Sequence, residues 1–296
     1  MRKLDFIVFG LARSGTTALT NLIRANRRLY CGAEFFTPRQ DHSLIDVPKA
    51  FFDEEARLER DGKVPQNIRV SMDILHRRDP GEIVLYGNKW PLYSHFFDRV
   101  MSELDHPKAI LAYRDYRACA RSYERRSQDP NDGWPAGRRS IFAGLELIHI
   151  LKMLAQSTYK NTLIVPQKLL ANNPEKTLEQ VTEYLTPGQP VALDRDVAGL
   201  LERSLASGRK RKPKPLTPSE QPVFKKLDNA GVNDLFPKDR CVQLEEIQTA
   251  LREAVAKLPE DHISFGKRLA RQHDDPAVLE YFETWKAIAQ EPANSD

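Results

Sequence analysis

Short apolar runs alternate with helix-length amphipathic stretches through the first 185 residues of the chain. The strand-length runs are Phe6–Phe9, Ile83–Tyr86, Ala109–Tyr113 and Leu163–Val165. Helical spacing of apolar positions covers Thr16–Asn26, Val47–Arg60, Tyr93–Leu104, Tyr116–Ser127, Ser140–Tyr159 and Glu175–Leu185. Strands separated by helices of this length predict parallel βαβ units with helices on both faces of one sheet. Ligands of such sheets sit at the carboxyl ends of the strands. Three of the four strands end in a glycine or polar segment, at Gly10, at Gly87-Asn88-Lys89 and at Arg114-Asp115. Those ends are expected to converge on one pocket. A helical stretch near Asp194–Leu205 then leads into a proline- and lysine-rich segment, Ser207 to Ser219, which reads as a mobile loop. Val223–Gln290 is amphipathic and helical, and the tail Glu291–Asp296 is expected to fray.

The first strand carries the most specific chemistry. Phe6-Ile-Val-Phe9 feeds Gly10-Leu-Ala-Arg13-Ser14-Gly15-Thr16-Thr17, where a helix begins. A glycine-bounded turn into a helix aims several backbone N–H groups and a positive helix end at one spot, which makes an anion cradle. The spacing is nearly that of a nucleotide phosphate loop, G-x-x-x-x-G-K-[ST], with Thr16 where the lysine belongs and Arg13 inside the loop. The alternative is a plain strand-to-helix turn with no ligand. The pattern as a whole predicts an α/β, P-loop-like three-layer fold: a central parallel sheet flanked by helices, plus C-terminal helices. A single domain over 1–296 is expected, with an α/β core (1–206), a basic Pro-rich loop (207–222) and a helical C-terminal part (223–296).

Composition narrows this little. Hydrophobic residues at 41% and charged residues at 29% are ordinary for a globular domain, and a net charge of +4 is too mild to imply nucleic acid. Cys31, Cys119 and Cys241 lie far apart without a C-x-x-C pair, which reads as free thiols in a reducing compartment. The seven histidines form no H-x-x-x-H pair and no cluster with cysteine, so a zinc site has no support. Met1-Arg-Lys-Leu-Asp5 leads straight into the first strand without a signal peptide, and the apolar stretch Ile141–Ala155 is broken by Glu146, His149 and Lys152. A cytoplasmic protein with no transmembrane segment is the expectation.

Taken together, the strand ends resemble the sulfotransferases that use 3′-phosphoadenosine 5′-phosphosulfate (PAPS). Phe9 to Thr17 is similar to the family's 5′-phosphosulfate loop, which reads roughly P-[KR]-S-G-T-T. Ala112-Tyr-Arg114 through Ser122-Tyr123 resembles its 3′-phosphate motif, an arginine at a strand end followed eight residues later by a serine on the next helix. Tyr30-Cys-Gly-Ala-Glu34 resembles the C-G-x-E segment of the tyrosylprotein and carbohydrate branches, and Gly87-Asn-Lys89-Trp-Pro91 their N-K-x-P element. The likeness runs in order from about residue 6 to 185. One departure is Val165-Pro-Gln-Lys-Leu169, where the branch carries an acidic Tyr-Glu-x-Leu segment; beyond residue 190 there is no likeness.

The resemblance implies transfer of a sulfuryl group from PAPS to an acceptor hydroxyl on a carbohydrate, a glycolipid or a small molecule. It implies that Arg13, Ser14, Gly15, Thr16 and Thr17 hold the 5′-phosphosulfate, and that Arg114 and Ser122 hold the 3′-phosphate. The catalytic set is then Arg13, Lys89 as a second cation and Glu34 as general base. Fixed cations and backbone donors can stabilise the moving sulfuryl group, so no metal is required. Asp41 and His42 are reserve bases. Trp90, Trp134 and Tyr116 are open between packing and ligand contact, and Arg209–Lys214 between a solvated segment and a lid or landing strip for an acidic acceptor. The rival enzyme is a P-loop nucleoside kinase or NTPase, for which Asp115 is the candidate metal-binding aspartate. The non-enzymatic rival is a polyanion-binding module built on Arg209–Lys214, though the run lacks the interleaved aromatics of a nucleic-acid binder.

Overall fold

The computed structural model describes residues 1–194, 197, 199 and 220–290. At its centre lies a six-stranded sheet in the order β2-β3-β1-β4-β5-β6. The strands are β1 (Phe6–Gly10), β2 (Leu29–Ala33), β3 (Leu85–Lys89), β4 (Lys108–Tyr113), β5 (Thr162–Pro166) and β6 (Val242–Gln243). The first five pair in parallel and β6 adds antiparallel at the edge. This is the expected α/β class.

A parallel sheet covered on both faces needs apolar residues at successive positions, and β1 is buried along its whole length. Side chains alternate across the strand, and each face has its own helices. Phe6 and Val8 join Ile110, Ala112, Leu163 and Val165 against α1 (Thr16–Arg24), α7 (Gln167–Asn172) and α8 (Pro174–Leu185). Ile7 and Phe9 join Ala109, Leu111 and Ile164 on the opposite face. There they meet α2 (Lys49–Arg60), α3 (Gln66–His76), α4 (Phe97–Glu103), α5 (Tyr116–Ser127) and α6 (Ser140–Gln156). Val223, Phe224, Leu251, Leu269 and Phe282, from the C-terminal helices, belong to this second core.

Several elements differ from the sequence expectation: α3, α7 and β6 are not among the expected elements, and three further differences bear on the site. β2 is not among the expected strands; Phe51 packs into the space a side chain at Gly32 would fill, since a Cβ there would lie 2.4 Å from that ring. β3 runs over Leu85–Lys89 rather than Ile83–Tyr86, because Phe6 covers Gly87 and the strand pairs Phe6↔Gly87 through Val8↔Lys89. Lys89 is therefore a strand residue. The helix expected over Tyr93–Leu104 divides into a 3₁₀ segment, Pro91–His95, and α4. The segment Arg209–Lys214, most of Asp194–Leu205 and the tail Glu291–Asp296 lie outside the described residues.

Candidate active site

β1 lies where the strand order reverses, with β2 and β3 to one side and β4 and β5 to the other. A crevice at the carboxyl end of such a strand is the usual ligand site of an open parallel sheet. Here the chain turns tightly. Gly10 has φ +148°, and a Cβ there would lie 2.5 Å from the Ala112 carbonyl oxygen, so only glycine fits. Ser14 N–H closes the turn on the Leu11 carbonyl at 3.0 Å, while Arg13 is held at φ 69°. Gly15, at φ +99°, is the N-cap of α1.

That helix start has no side-chain cap and no acidic residue in its first turn. The N–H groups at its first positions have no intrahelical acceptor by helix geometry, and the macrodipole adds positive potential. Ser14 is fully buried, and its Oγ has no hydrogen-bond partner. An orphaned hydroxyl, an uncapped helix end and a glycine-lined turn fit a phosphate- or sulfate-like oxyanion.

The second patch adjoins the first. Arg114 follows the end of β4 and its Nη1 donates to the Arg13 carbonyl at 3.1 Å. Arg13 Nε donates to Ser122 Oγ, on α5, at 3.2 Å, and Arg125 Nη2 reaches the same hydroxyl at 3.3 Å. Arg13, Arg114 and Ser122 thus form one bonded cluster. The Arg13 guanidinium is lowered from its ordinary value by surrounding protein and by the positive field of Arg126, Arg125 and Arg114. Arg126 is neutralised by Asp132, at 2.6 Å from its Nε, but among the described residues neither Arg13 nor Arg114 has a carboxylate at ion-pairing distance. Asp115 is the N-cap of α5, with its carboxylate accepting from Ala118 N–H at 3.0 Å.

On the other side of β1 the ends of β2 and β3 hold the acid–base candidates. Lys89 is 2% exposed, and its Nζ donates to Glu34 Oε1 at 2.5 Å. Glu34 follows β2 in the left-handed region, φ 67°, with its N–H on the Lys89 carbonyl at 2.8 Å. A non-glycine residue persists there only where its surroundings fix it, and such strain concentrates at functional sites. Phe35 N–H on Asn88 Oδ1 supplies a further restraint at 3.2 Å. Neighbouring strands lie roughly 5 Å apart, so the ends of β2, β3, β1 and β4 line up Glu34, Lys89, the loop and Arg114 along one edge.

Other candidates fall elsewhere. Asp41 is an exposed cap of a 3₁₀ turn, accepting from Ser43 N–H at 2.9 Å. His42 is buried beside Glu103, with Nδ1 3.2 Å from its carboxylate; burial lowers its affinity for a proton although Glu103 opposes the shift. The guanidinium groups of Arg126 and Arg138 lie over the Trp134 ring at 4.8 and 4.5 Å, and its indole N–H donates to the Arg138 carbonyl. Tyr116 is buried against Phe224 and donates to Asp228. Trp90 packs on the core.

The sequence did not point to Asn67 or to the position of Gln167. Asn67 Nδ2, on α3, donates to the Ala33 carbonyl at 2.9 Å and to Glu34 Oε2 at 3.3 Å. Gln167, in the segment where the resemblance leads one to expect an acid, packs over Gly15, with its Cγ 3.0 Å from where a Cβ would be. A neutral amide there leaves the cradle's positive potential intact. Among the described residues no group of three metal-ligating side chains gathers, and no helix is long and apolar enough to cross a membrane. A cleft of about 660 Å³ opens at the opposite end of the sheet beside Lys108 and Asn161, but Glu179, Glu183 and Glu246 line it.

No protein-family model matches the chain, and no curated protein does. Solved structures similar to it include the sulfotransferase domain of the Synechococcus PCC 7002 olefin synthase, at 16% identity and TM-score 0.44, over 77% of this chain and 96% of that one. The sulfotransferase domain of the curacin biosynthetic pathway is similar at 15% identity and TM-score 0.42, over 77% and 99%. Sulfotransferase STF9 from Mycobacterium avium is similar at 13% identity and TM-score 0.41, over 77% of each chain.

Proposed function

We propose that this chain is a PAPS-dependent sulfotransferase, moving a sulfuryl group to a hydroxyl on a carbohydrate, a glycolipid or a small molecule. The observation that carries the reading is the bonding of Arg13 to both Ser122 and Arg114, which joins the cradle and the second cationic patch into one site. A single phosphate would need only the cradle. A ligand with anionic groups at both ends uses both patches.

PAPS supplies the activated sulfuryl group, with its 5′-phosphosulfate on Ser14, Gly15, Thr16 and Thr17 and its 3′-phosphate on Arg114 and Ser122. Glu34 accepts the acceptor's hydroxyl proton as that oxygen bonds to sulfur. Arg13 offsets the charge that collects on the 5′-phosphate oxygen as the bridging S–O bond breaks, and Lys89 adds a second cation beside the base. Backbone donors and fixed cations aimed at developing charge are the largest contributors to catalysis of this kind.

Calorimetry with 3′-phosphoadenosine 5′-phosphate, set against ATP with magnesium, tests the ligand. Tight binding of the former alone is expected; stabilisation by ATP and magnesium alone would turn the assignment to a phosphate-loop kinase. With labelled PAPS and a panel of hydroxyl acceptors, Glu34→Gln is expected to lower turnover by roughly 10²–10⁴-fold, the usual worth of a general base, with nucleotide affinity unchanged. Near-normal turnover in that variant would remove Glu34 from the role.

A further inference from the structure

We infer that Asn67 is a positioning residue that fixes the plane of the Glu34 carboxylate; the inference rests on reading Glu34 as the base. An ionised carboxylate has about four lone-pair sites and a broad, two-fold terminal torsion, so one contact leaves it free to turn. Lys89 holds Oε1 from the β3 side and Asn67 holds Oε2 from α3. Tethered at both oxygens, the group keeps its remaining lone pairs at the exposed face, where a hydroxyl can approach. The same Asn67 amide binds the Ala33 carbonyl, and so also braces the strained residue that carries the base.

Asn67 is itself anchored to the helix that starts at the cradle. Its carbonyl accepts from Ser71 Oγ at 2.6 Å, and Ser71 Oγ accepts from Arg24 Nη2 at 2.5 Å. Arg24 is fully buried on α1 and also donates to the Cys31 carbonyl of β2 at 2.6 Å. Tyr30 completes the brace, its hydroxyl donating to the Ser71 carbonyl at 3.2 Å. The base and the anion loop are thereby held by one polar framework, which matters because a displacement of about 1 Å costs on the order of 10²-fold in rate.

The test uses the full chain and water as acceptor, reading release of 3′-phosphoadenosine 5′-phosphate from PAPS. Asn67→Ala is expected to lower kcat about 10-fold, with KM for PAPS, calorimetric affinity for 3′-phosphoadenosine 5′-phosphate and Tm all unchanged within about twofold or a degree or two. Asn67→Leu, which keeps the branched outline of the side chain and loses the donor, is expected to behave the same way and stands in if the alanine variant fails to fold. In a Glu34→Ala background, Asn67→Ala is expected to have no further effect. Normal kcat in both variants, or a loss that persists without Glu34, overturns the inference and leaves the assignment of Glu34 standing. A wild-type chain that neither binds the nucleotide nor cleaves PAPS overturns the assignment of the site, and this inference with it.

Discussion

Helices α1 and α6 begin with the same chemistry and end up differently. Neither has a side-chain N-cap of its own, and arginine stands at the start of each, Arg13 in the loop before α1 and Arg139 just before α6. At α6 the protein supplies the anion itself. Glu124, fully buried, accepts from Ser140 N–H and Oγ at 3.2 and 3.0 Å and from Arg139 Nη2 at 2.7 Å. Burial works against that carboxylate's charge, yet Arg139 and Ser140 hold it below the ordinary range. At α1 no side chain among the described residues fills the equivalent place, and Ser14 Oγ is left without a partner there. A helix end that packing needs is closed by the chain's own carboxylate; the one left open, beside Arg13 and Arg114, fits an anion from outside.

The closed end should break expensively. Glu124→Ala removes the acceptor from Ser140 and one partner from Arg139, which keeps Asp275 at 2.8 Å. Removing one member of a buried pair costs about 3–5 kcal/mol, and the surviving Asp275 contact argues for the lower figure, about 3 kcal/mol. Urea unfolding measures it. A loss below about 1 kcal/mol would mean Glu124 is only a surface-grade contact and the two helix ends are not comparable.

The open end should respond with opposite signs in stability and binding. Thr17→Asp places a carboxylate in the first turn of α1, in imitation of Glu124. Favourable interaction with the helix end should stabilise the free protein by about 0.3–1 kcal/mol. Like charges 4–5 Å apart at an effective dielectric near 20 repel by several kcal/mol, so affinity for 3′-phosphoadenosine 5′-phosphate should fall by at least about 100-fold. Calorimetry and thermal melting read the two effects separately. A variant with unchanged affinity would show that the anion does not sit at α1.

The two regions also differ in how far the sequence revealed them. The shape of the α1 loop was legible because it is carried by backbone geometry: Gly10 and Gly15 occupy conformations that side chains rarely adopt, so their spacing is visible in the chain. Arg114 and Ser122 came into view only through the resemblance, which pairs a strand-end arginine with a serine eight residues later. Glu34 was harder, since its strand hides behind Gly32, and its pairing with Lys89 depends on β2 and β3 lying side by side. Asn67 was invisible: its helix, α3, went unread, and an asparagine in a polar stretch gives no sign that folding will aim it at a carboxylate 33 residues away. The closing of α6 by Glu124 was hidden for the same reason, because a buried carboxylate looks like any other charge until its neighbours assemble.

Acid offers the gentlest way to separate the regions, because the arginines of the open end keep their charge while the closed side contains histidines that must stay neutral. His95 and His149 stack at 4.5 Å, and His262 lies 5.8 Å from His149, joining the 3₁₀ segment and α6 to the helix His262–Gln272. Trp285 N–H donates to His95 Nε2 at 3.3 Å, which requires that nitrogen unprotonated. Burial lowers all three, helped at His95 by His149, Arg138 and His262, while Glu146 opposes the shift at His149 and Asp261 at His262; Lys152 favours it at both. His262 is pushed down to about 4. A depressed folded-state value means that the unfolded chain binds more protons below about pH 6.5, so stability should fall as pH drops through that value and level off near the folded one. His262 alone should account for about 2 kcal/mol by pH 5. Urea midpoints compared at pH 7.5 and 5, followed by tryptophan emission, measure the slope. His262→Gln should flatten it, and an unaltered slope would show that acid acts on the fold somewhere other than this seam.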